Sequence, residues 1–227
     1  MGQATGWVYS WFRLANHIEV SIPMKFLNFR RYLDFGSRHS SFDERNQLIA
    51  SGISKQHSWI LDIGSNLGET SNFLASKGHF VVGAEKFEKE HKIACARSAP
   101  GTAYMRTSVT PEFIQSTLHW DAILLLSVLH RIYAFEGEEF MRSVLRACGE
   151  KTDHLFIEGS TRQARYTDQG NPPPPFTDFD TADAERWHRD VLRSELGDRW
   201  QVSPARVLAH SKSEPHRLFF HAEKSAG

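Results

Sequence analysis

The chain has 227 residues, in which 27 Lys and Arg balance 27 Asp and Glu. That length suits one sizeable α/β domain with an N-terminal extension, and the zero net charge argues against a bulk polyanion such as nucleic acid as the partner. Two distant cysteines, Cys95 and Cys148, form no CxxC pair and exclude a disulfide framework or a cysteine-held zinc cluster. With no run of about 18 apolar residues and no basic-then-apolar leader, a cytoplasmic protein without a transmembrane segment is expected.

In chain order, Trp7, Trp11, Leu14 and Ile18 fall at helical spacing and predict a short amphipathic helix. Such a stripe docks onto the main domain or lies against a membrane surface or a partner. Met24 to Phe35 mixes aromatics with Lys25, Arg30 and Arg31, a composition that suits either a substrate mouth or a cover for the core. Residues 1–50 are therefore read as a helical extension or cap, and residues 51–227 as the main domain. Asp43 to Ser51 reads as a helix, Trp59 to Ile63 as a strand and Glu69 to Lys77 as the next helix. Phe80 to Ala84 follows as a strand, Glu88 to Arg97 as a helix, Ala103 to Met105 as a strand and Pro111 to Leu118 as a helix. The wholly apolar Ala122 to Leu126 fits a strand buried on both faces. Glu138 to Cys148 is helical, Leu155 to Ile157 extended and Ala184 to Leu196 helical. Gln201 to Leu208 and Arg217 to His221 make a closing pair of strands around a turn at Ser211 to Pro215. Asn171 to Pro175 breaks regular structure, because consecutive prolines fix φ and remove donors. This alternation predicts a parallel sheet covered by helices.

The chemistry concentrates between Trp59 and Glu85. In Ile60-Leu61-Asp62-Ile63-Gly64-Ser65-Asn66-Leu67-Gly68 an acid ends the strand and glycines occupy the turn that opens a helix. Glycines let the backbone approach a ligand closely, and the helix start offers unpaired N–H groups. Glu85 ends the second strand about 20 residues on, where a carboxylate can accept both hydroxyls of an adenosine ribose. A dinucleotide fold wants G-x-G-x-x-G, whereas Gly64 and Gly68 here flank Asn66. Asp62 beneath the loop would repel a pyrophosphate and suit a ligand carrying an ammonium group.

From about Trp59 to its end, the sequence resembles the class I S-adenosylmethionine-dependent methyltransferases, whose first motif has the form of LDIGSNLGETSNFLA in this chain. The resemblance makes Glu85 the ribose acid, WDAILLLSVLH the fourth strand with its following turn, and RLFFHAE the antiparallel seventh strand. It implies a Rossmann-like methyltransferase fold: a mostly parallel seven-stranded sheet with helices on both faces and an antiparallel last strand. S-adenosyl-L-methionine is the cofactor it implies, with Asp62, Gly64, Asn66, Gly68, Glu85, Ser108 and Ser127 in the donor site. Two departures stand out. Asn66 replaces the loop's middle glycine, and Thr107 and Ser108 stand where an Asp often meets the adenine amino group.

Methyl transfer asks for positioning and, where the acceptor needs it, proton removal. His130, after the fourth strand, is the first candidate for a base or orienting group, because its ordinary pKa lies near neutrality. Glu158, after the fifth strand, is the second, with an ion pair to Arg131 or Arg162 as its purely structural alternative. Arg38 or Arg45 is a candidate partner for the donor carboxylate, against a surface salt bridge to Asp43 or Glu44. Arg162, Arg165 and Tyr166 would favour an acceptor with a carboxylate, phosphate or sugar hydroxyls. Asn171-Pro172-Pro173 lies too late for an amino-methylating NPPY-like motif and reads as a rigid loop. The 12 histidines lack HxH or HExxH spacing, so no metal is expected. The function expected is methyl transfer to an O or N of a small-molecule acceptor. A non-catalytic partner subunit and a nicotinamide-dependent oxidoreductase are the alternatives.

Overall fold

A computed structural model describes residues 41–167 and 170–225. The Trp7 to Ile18 stripe, the Met24 to Phe35 segment and Arg38 lie outside the described residues. Helix α1 (Phe42–Gly52) opens a compact unit that begins at Ser40, so the boundary expected at residue 50 falls inside a helix. Strands and helices then alternate: β1 (Trp59–Ile63), α2 (Glu69–Ser76), β2 (Phe80–Glu85), α3 (Glu88–Ala96), β3 (Thr102–Arg106) and α4 (Pro111–Ser116). After them come β4 (Ala122–Leu126), α5 (Leu129–Glu136), α6 (Glu138–Lys151), β5 (His154–Ser160) and α7 (Thr181–Leu196). Three strands close the chain: β6 (Trp200–Val202), β7 (Arg206–Ser211) and β8 (Glu214–Lys224).

The strands form one sheet of eight in the order β3-β2-β1-β4-β5-β8-β6, with β7 also on β8. The five strands from β3 to β5 are parallel, and β8 runs antiparallel to β5 with Ser160 opposite Arg217 and His154 opposite Glu223. This is the expected architecture with one strand more. Gln201 to Leu208, read as one strand, is split into β6 and β7 because Pro204 between them has no N–H for a ladder. Both pieces pair with β8, β6 near its end and β7 near its beginning.

Alternation along the strands sorts the core into two layers. Leu61, Ile63, Ile123, Leu125, Leu155 and Ile157 face one side, where they pack with α6 residues such as Val144 and Leu145 and with Val191 and Leu192 of α7. Ile60, Val81, Leu124, Phe156 and Phe219 face the other, against Ile49 of α1 and Leu74 of α2. Each fully buried Leu or Ile contributes about 1.5–3 kcal/mol relative to exposure, and this places the sheet edges firmly. Among the described residues no helix is long and apolar enough to cross a membrane.

Helix α5 is the element the sequence does not announce. Ala122 to His130 reads as a strand with a turn behind it, yet Ser127 adopts φ +56° and the chain enters a helix at Leu129. The apolar Leu129, Tyr133 and Ala134 face inward at helical spacing, but they directly follow five strand residues that are just as apolar.

Candidate functional site

The C-terminal ends of β1 and β2 adjoin, with Asp62 opposite Gly83 and Ile63 opposite Ala84. The loop after β1 is pinned there by Gly64 N–H and Ser65 N–H, which both donate to Ala84 O at 2.8 and 3.2 Å. Gly64, Asn66 and Gly68 all have left-handed backbone, at φ +71°, +51° and +75°. Asn66 therefore holds the conformation a middle glycine would hold, and asparagine is among the few side chains that tolerate it. Gly68 has a second reason to lack a side chain, since a Cβ there would collide with the Tyr104 ring. The Tyr104 hydroxyl donates to Asn72 Oδ1 at 3.0 Å and lies 3.2 Å from Gly68 O, so β3 supports the loop from below.

The two acids of the motif are both buried. Asp62 accepts a 2.6 Å hydrogen bond from Ser71 Oγ, and burial pushes its carboxyl up to about 6 despite Ser71 and Arg45 nearby. Glu85 receives the N–H of Asn66 on one oxygen at 2.9 Å and that of Phe87 on the other at 2.8 Å. A carboxylate offers roughly four lone-pair positions, so capacity remains for further hydroxyls. Ser65 Oγ and Asn66 Oδ1 are buried with no hydrogen-bond partner among the described residues. Ser108, beyond β3, is exposed, and its carbonyl accepts from Thr107 Oγ1 at 3.1 Å.

A second group gathers at the ends of β4 and β5. Ser127 Oγ donates to Glu158 Oε1, while Arg45 Nη1 donates to Glu158 Oε2 at 2.8 Å and Arg45 Nη2 to Thr70 Oγ1 at 3.1 Å. Burial favours the neutral Glu158 acid, but Arg45, then Arg217, and the hydrogen bonds from Ser127 and Arg45 hold it at about 2. Its partner is thus Arg45 and not Arg131 or Arg162, and Arg45 pairs with Glu158 rather than with Asp43 or Glu44. A carboxylate so engaged is an anchor for α1; it has little tendency to take a proton near neutral pH.

Beside it lies a buried network that the sequence did not disclose. Arg217 Nη2 and Arg165 Nε donate to Glu214 Oε2 at 2.8 and 3.2 Å, and Ser160 Oγ donates to Glu214 Oε1. Arg217 Nη1 sits 3.4 Å from His130 Nδ1. Arginine has no acceptor, so His130 accepts through Nδ1 and carries its proton on Nε2. Burial, with Arg217 and Arg131 next in weight, pushes His130 well below the ordinary histidine range. It is a neutral ring able to donate from Nε2. Tyr166 Oη lies 2.9 Å from His188 Nε2 and donates to Ser160 O at 3.2 Å, and the missing side chain of Gly159 makes room for the His188 ring. Tyr166 is buried among Tyr133, Phe176 and Trp187 and serves packing. Asn171 caps α5 by donating to Ala134 O at 2.7 Å, which accounts for the loop without any amino-methylating role.

No protein-family model and no curated protein matches this sequence. Solved structures do share its fold. The N-methyltransferase NodS from Bradyrhizobium japonicum WM9, in complex with S-adenosyl-l-homocysteine, matches with a TM-score of 0.60 and 16% identity over 83% of this chain and 89% of NodS. The magnesium protoporphyrin IX methyltransferase ChlM from Synechocystis PCC 6803, with bound SAM, matches at 0.57 and 15% over 94% of this chain and 91% of its own. The bifunctional kinase-methyltransferase WbdD matches at 0.58 and 17% over 80% of this chain; this chain spans 38% of the length of WbdD. At such identities what is shared is the fold.

Proposed function

We propose that this chain, which has the class I methyltransferase fold, binds S-adenosyl-L-methionine and transfers its methyl group to an ionised oxygen of a small anionic acceptor. The observation that carries the reading is the glycine loop, held in left-handed backbone at Gly64, Asn66 and Gly68 between the buried carboxylates of Asp62 and Glu85. Bound, the donor supplies a methyl group activated on a sulfonium. The left-handed loop from Gly64 to Gly68 admits it closely, Glu85 accepts the ribose hydroxyls, and Asp62 faces the ammonium end. Ser127 and Ser108 flank the same crevice at the ends of β4 and β3.

The acceptor class follows from the groups at the end of β4 and β5. Neither His130, whose free nitrogen carries a proton, nor Glu158, held at about 2, is a competent general base at neutral pH. An acceptor that is already ionised, a carboxylate or phosphate oxygen, needs none. Arg45, Arg165 and Arg217 gather at this end, and a carboxylate or phosphate is the acceptor class that guanidinium groups hydrogen-bond best. An anionic oxygen would take the methyl group that the bound donor supplies with no proton having to leave the acceptor. The Nε2–H of His130 holds the acceptor in line.

Calorimetric titration with S-adenosylhomocysteine and with NAD tests the donor. Binding of the former is expected, and binding of NAD alone would overturn the reading. Transfer of labelled methyl into carboxylate or phosphate compounds of a metabolite extract then tests the acceptor, with label confined to amines as the contrary result.

A further inference from the structure

At the far end of β5 from Glu158, antiparallel pairing brings together three residues that the linear sequence separates. His154 begins β5 and lies opposite Glu223 on β8; His221, two residues earlier on β8, lies opposite Phe156. Residues two apart on a strand share a face, so His154, His221 and Glu223 stand on one side of the sheet. Side-chain geometry tightens the grouping. His154 Nδ1 and His221 Nε2 are 3.2 Å apart, Glu223 Oε1 is 4.0 Å from His154 Nε2, and one ligand atom from each residue fits within a 4.8 Å span.

We propose that His154, His221 and Glu223 form a zinc-binding site at the end of the β5–β8 pair, separate from the donor crevice. Two nitrogens at about 2.0–2.1 Å from a tetrahedral zinc lie roughly 3.3 Å apart. The 3.2 Å between the two imidazole nitrogens is close to that spacing. The rings are held for this. His221 stacks on Phe156 with centroids 4.4 Å apart and planes at 6°, and the two histidines stack at 5.4 Å and 18°. Ser203 Oγ fixes the His221 backbone by accepting its N–H at 3.1 Å. Glu223 is the adjustable member, with most of its side chain in solvent, and closes on the ion by rotation. Two histidines and one carboxylate leave the fourth tetrahedral position to water, and the set is borderline in softness, which suits zinc over calcium or magnesium.

The expectation of no metal rested on linear spacing, and 67 residues separate the two histidines. The only local trace is His221-x-Glu223 on a strand. Four residues of β5 set the site apart from Glu158, roughly 13 Å along the strand. An ion there ties β8, the strand inserted between β5 and β6, to its neighbour.

The test uses the full chain stripped of metal by a chelator. Titration with zinc chloride at pH 7.5 is expected to show one ion bound per chain at micromolar or lower concentration, and cobalt(II) is expected to give the intense visible bands of a tetrahedral site. Binding should vanish in His154→Gln and His221→Ala, and weaken at least about tenfold in Glu223→Gln. Zinc should raise the Tm of the native chain and leave that of His154→Gln unchanged. If His221→Ala unfolds, His154→Gln and Glu223→Gln, both changed at more exposed positions, decide the matter. Absence of saturable binding, or binding that survives in both of those variants, would overturn the site and leave the 3.2 Å contact as a proton shared between two rings.

Discussion

The two ends of the candidate site are built in opposite ways. At the β1 and β2 end the contacts are short in sequence: Ser71 to Asp62 spans nine residues and Asn66 to Glu85 spans 19. At the β4, β5 and β8 end they are long, with 113 residues between Arg45 and Glu158, 87 between Arg217 and His130, and 54 between Ser160 and Glu214. The first end is a local backbone device that any partner strand can support. The second exists only once the whole sheet has assembled, and its charges stabilise the fold only in company. Substitution at the two ends should therefore fail differently.

The largest effect is expected at the long-range end. Arg217→Ala leaves Glu214 buried with Arg165 and Ser160 as its remaining partners, and breaking a buried pair from one side costs about 3–5 kcal/mol. Chemical denaturation should show that loss, and the double variant Arg217→Met with Glu214→Gln should recover a good part of it. With the guanidinium gone, His130 should titrate closer to an ordinary histidine, readable by NMR, because Arg217 is the leading charge that depresses it. An Arg217→Ala chain as stable as the native one would mean that the two ends do not differ in the way described.

A smaller effect is expected at the local end. Gly68→Ala meets both the left-handed backbone at φ +75°, ψ 17° and the Tyr104 ring, whereas Gly197→Ala meets open space but a different glycine-favoured backbone, at φ +80°, ψ −179°. Backbone strain alone costs about 1–3 kcal/mol, so both variants should lose stability of at least that order. Only Gly68→Ala should also lose binding of S-adenosylhomocysteine. A Gly68→Ala chain that binds S-adenosylhomocysteine as the native chain does would remove the loop's close approach to the ligand.

The same contrast explains what could be read before the fold was known. Asp62, the Gly64 to Gly68 loop and Glu85 were legible because spacing along one β-α-β unit sets their geometry. The strand and helix order was legible too, since each element carries its own period. Glu214 and Arg217 were not, because nothing in EPHRLFFHAE says which alternate residue faces the core and which meets solvent; register decides it, and register is a property of the sheet. Helix α5 was hidden by continuity of apolar residues across Ser127, and the split of β6 from β7 by a single proline. His130 was found by position, but its proton was assigned only by Arg217 arriving from β8.

Asp62 joins the two ends of this contrast in its dependence on pH. Its carboxyl is raised by burial from 3.8 to about 6, so the folded chain holds that proton more tightly than the unfolded chain does. Its contribution to stability is then best below pH 3.8 and falls as the pH rises to about 6, after which the cost of the buried charge is constant. The full shift corresponds to roughly 3 kcal/mol. Asp62→Asn removes the charge and keeps an oxygen for Ser71, but it adds amide hydrogens that need partners, so a net gain of roughly 1–2 kcal/mol above pH 6 is expected in denaturation. Ligand binding should run the other way. An ammonium group near Asp62 favours the ionised acid, so affinity of the native chain for S-adenosylhomocysteine should fall up to about tenfold per pH unit below 6. In Asp62→Asn the affinity should be lower and flat over the same range. A native chain whose affinity is itself flat from pH 7 to 5 would place the ammonium end of the ligand elsewhere and leave Asp62 as a strut for α2.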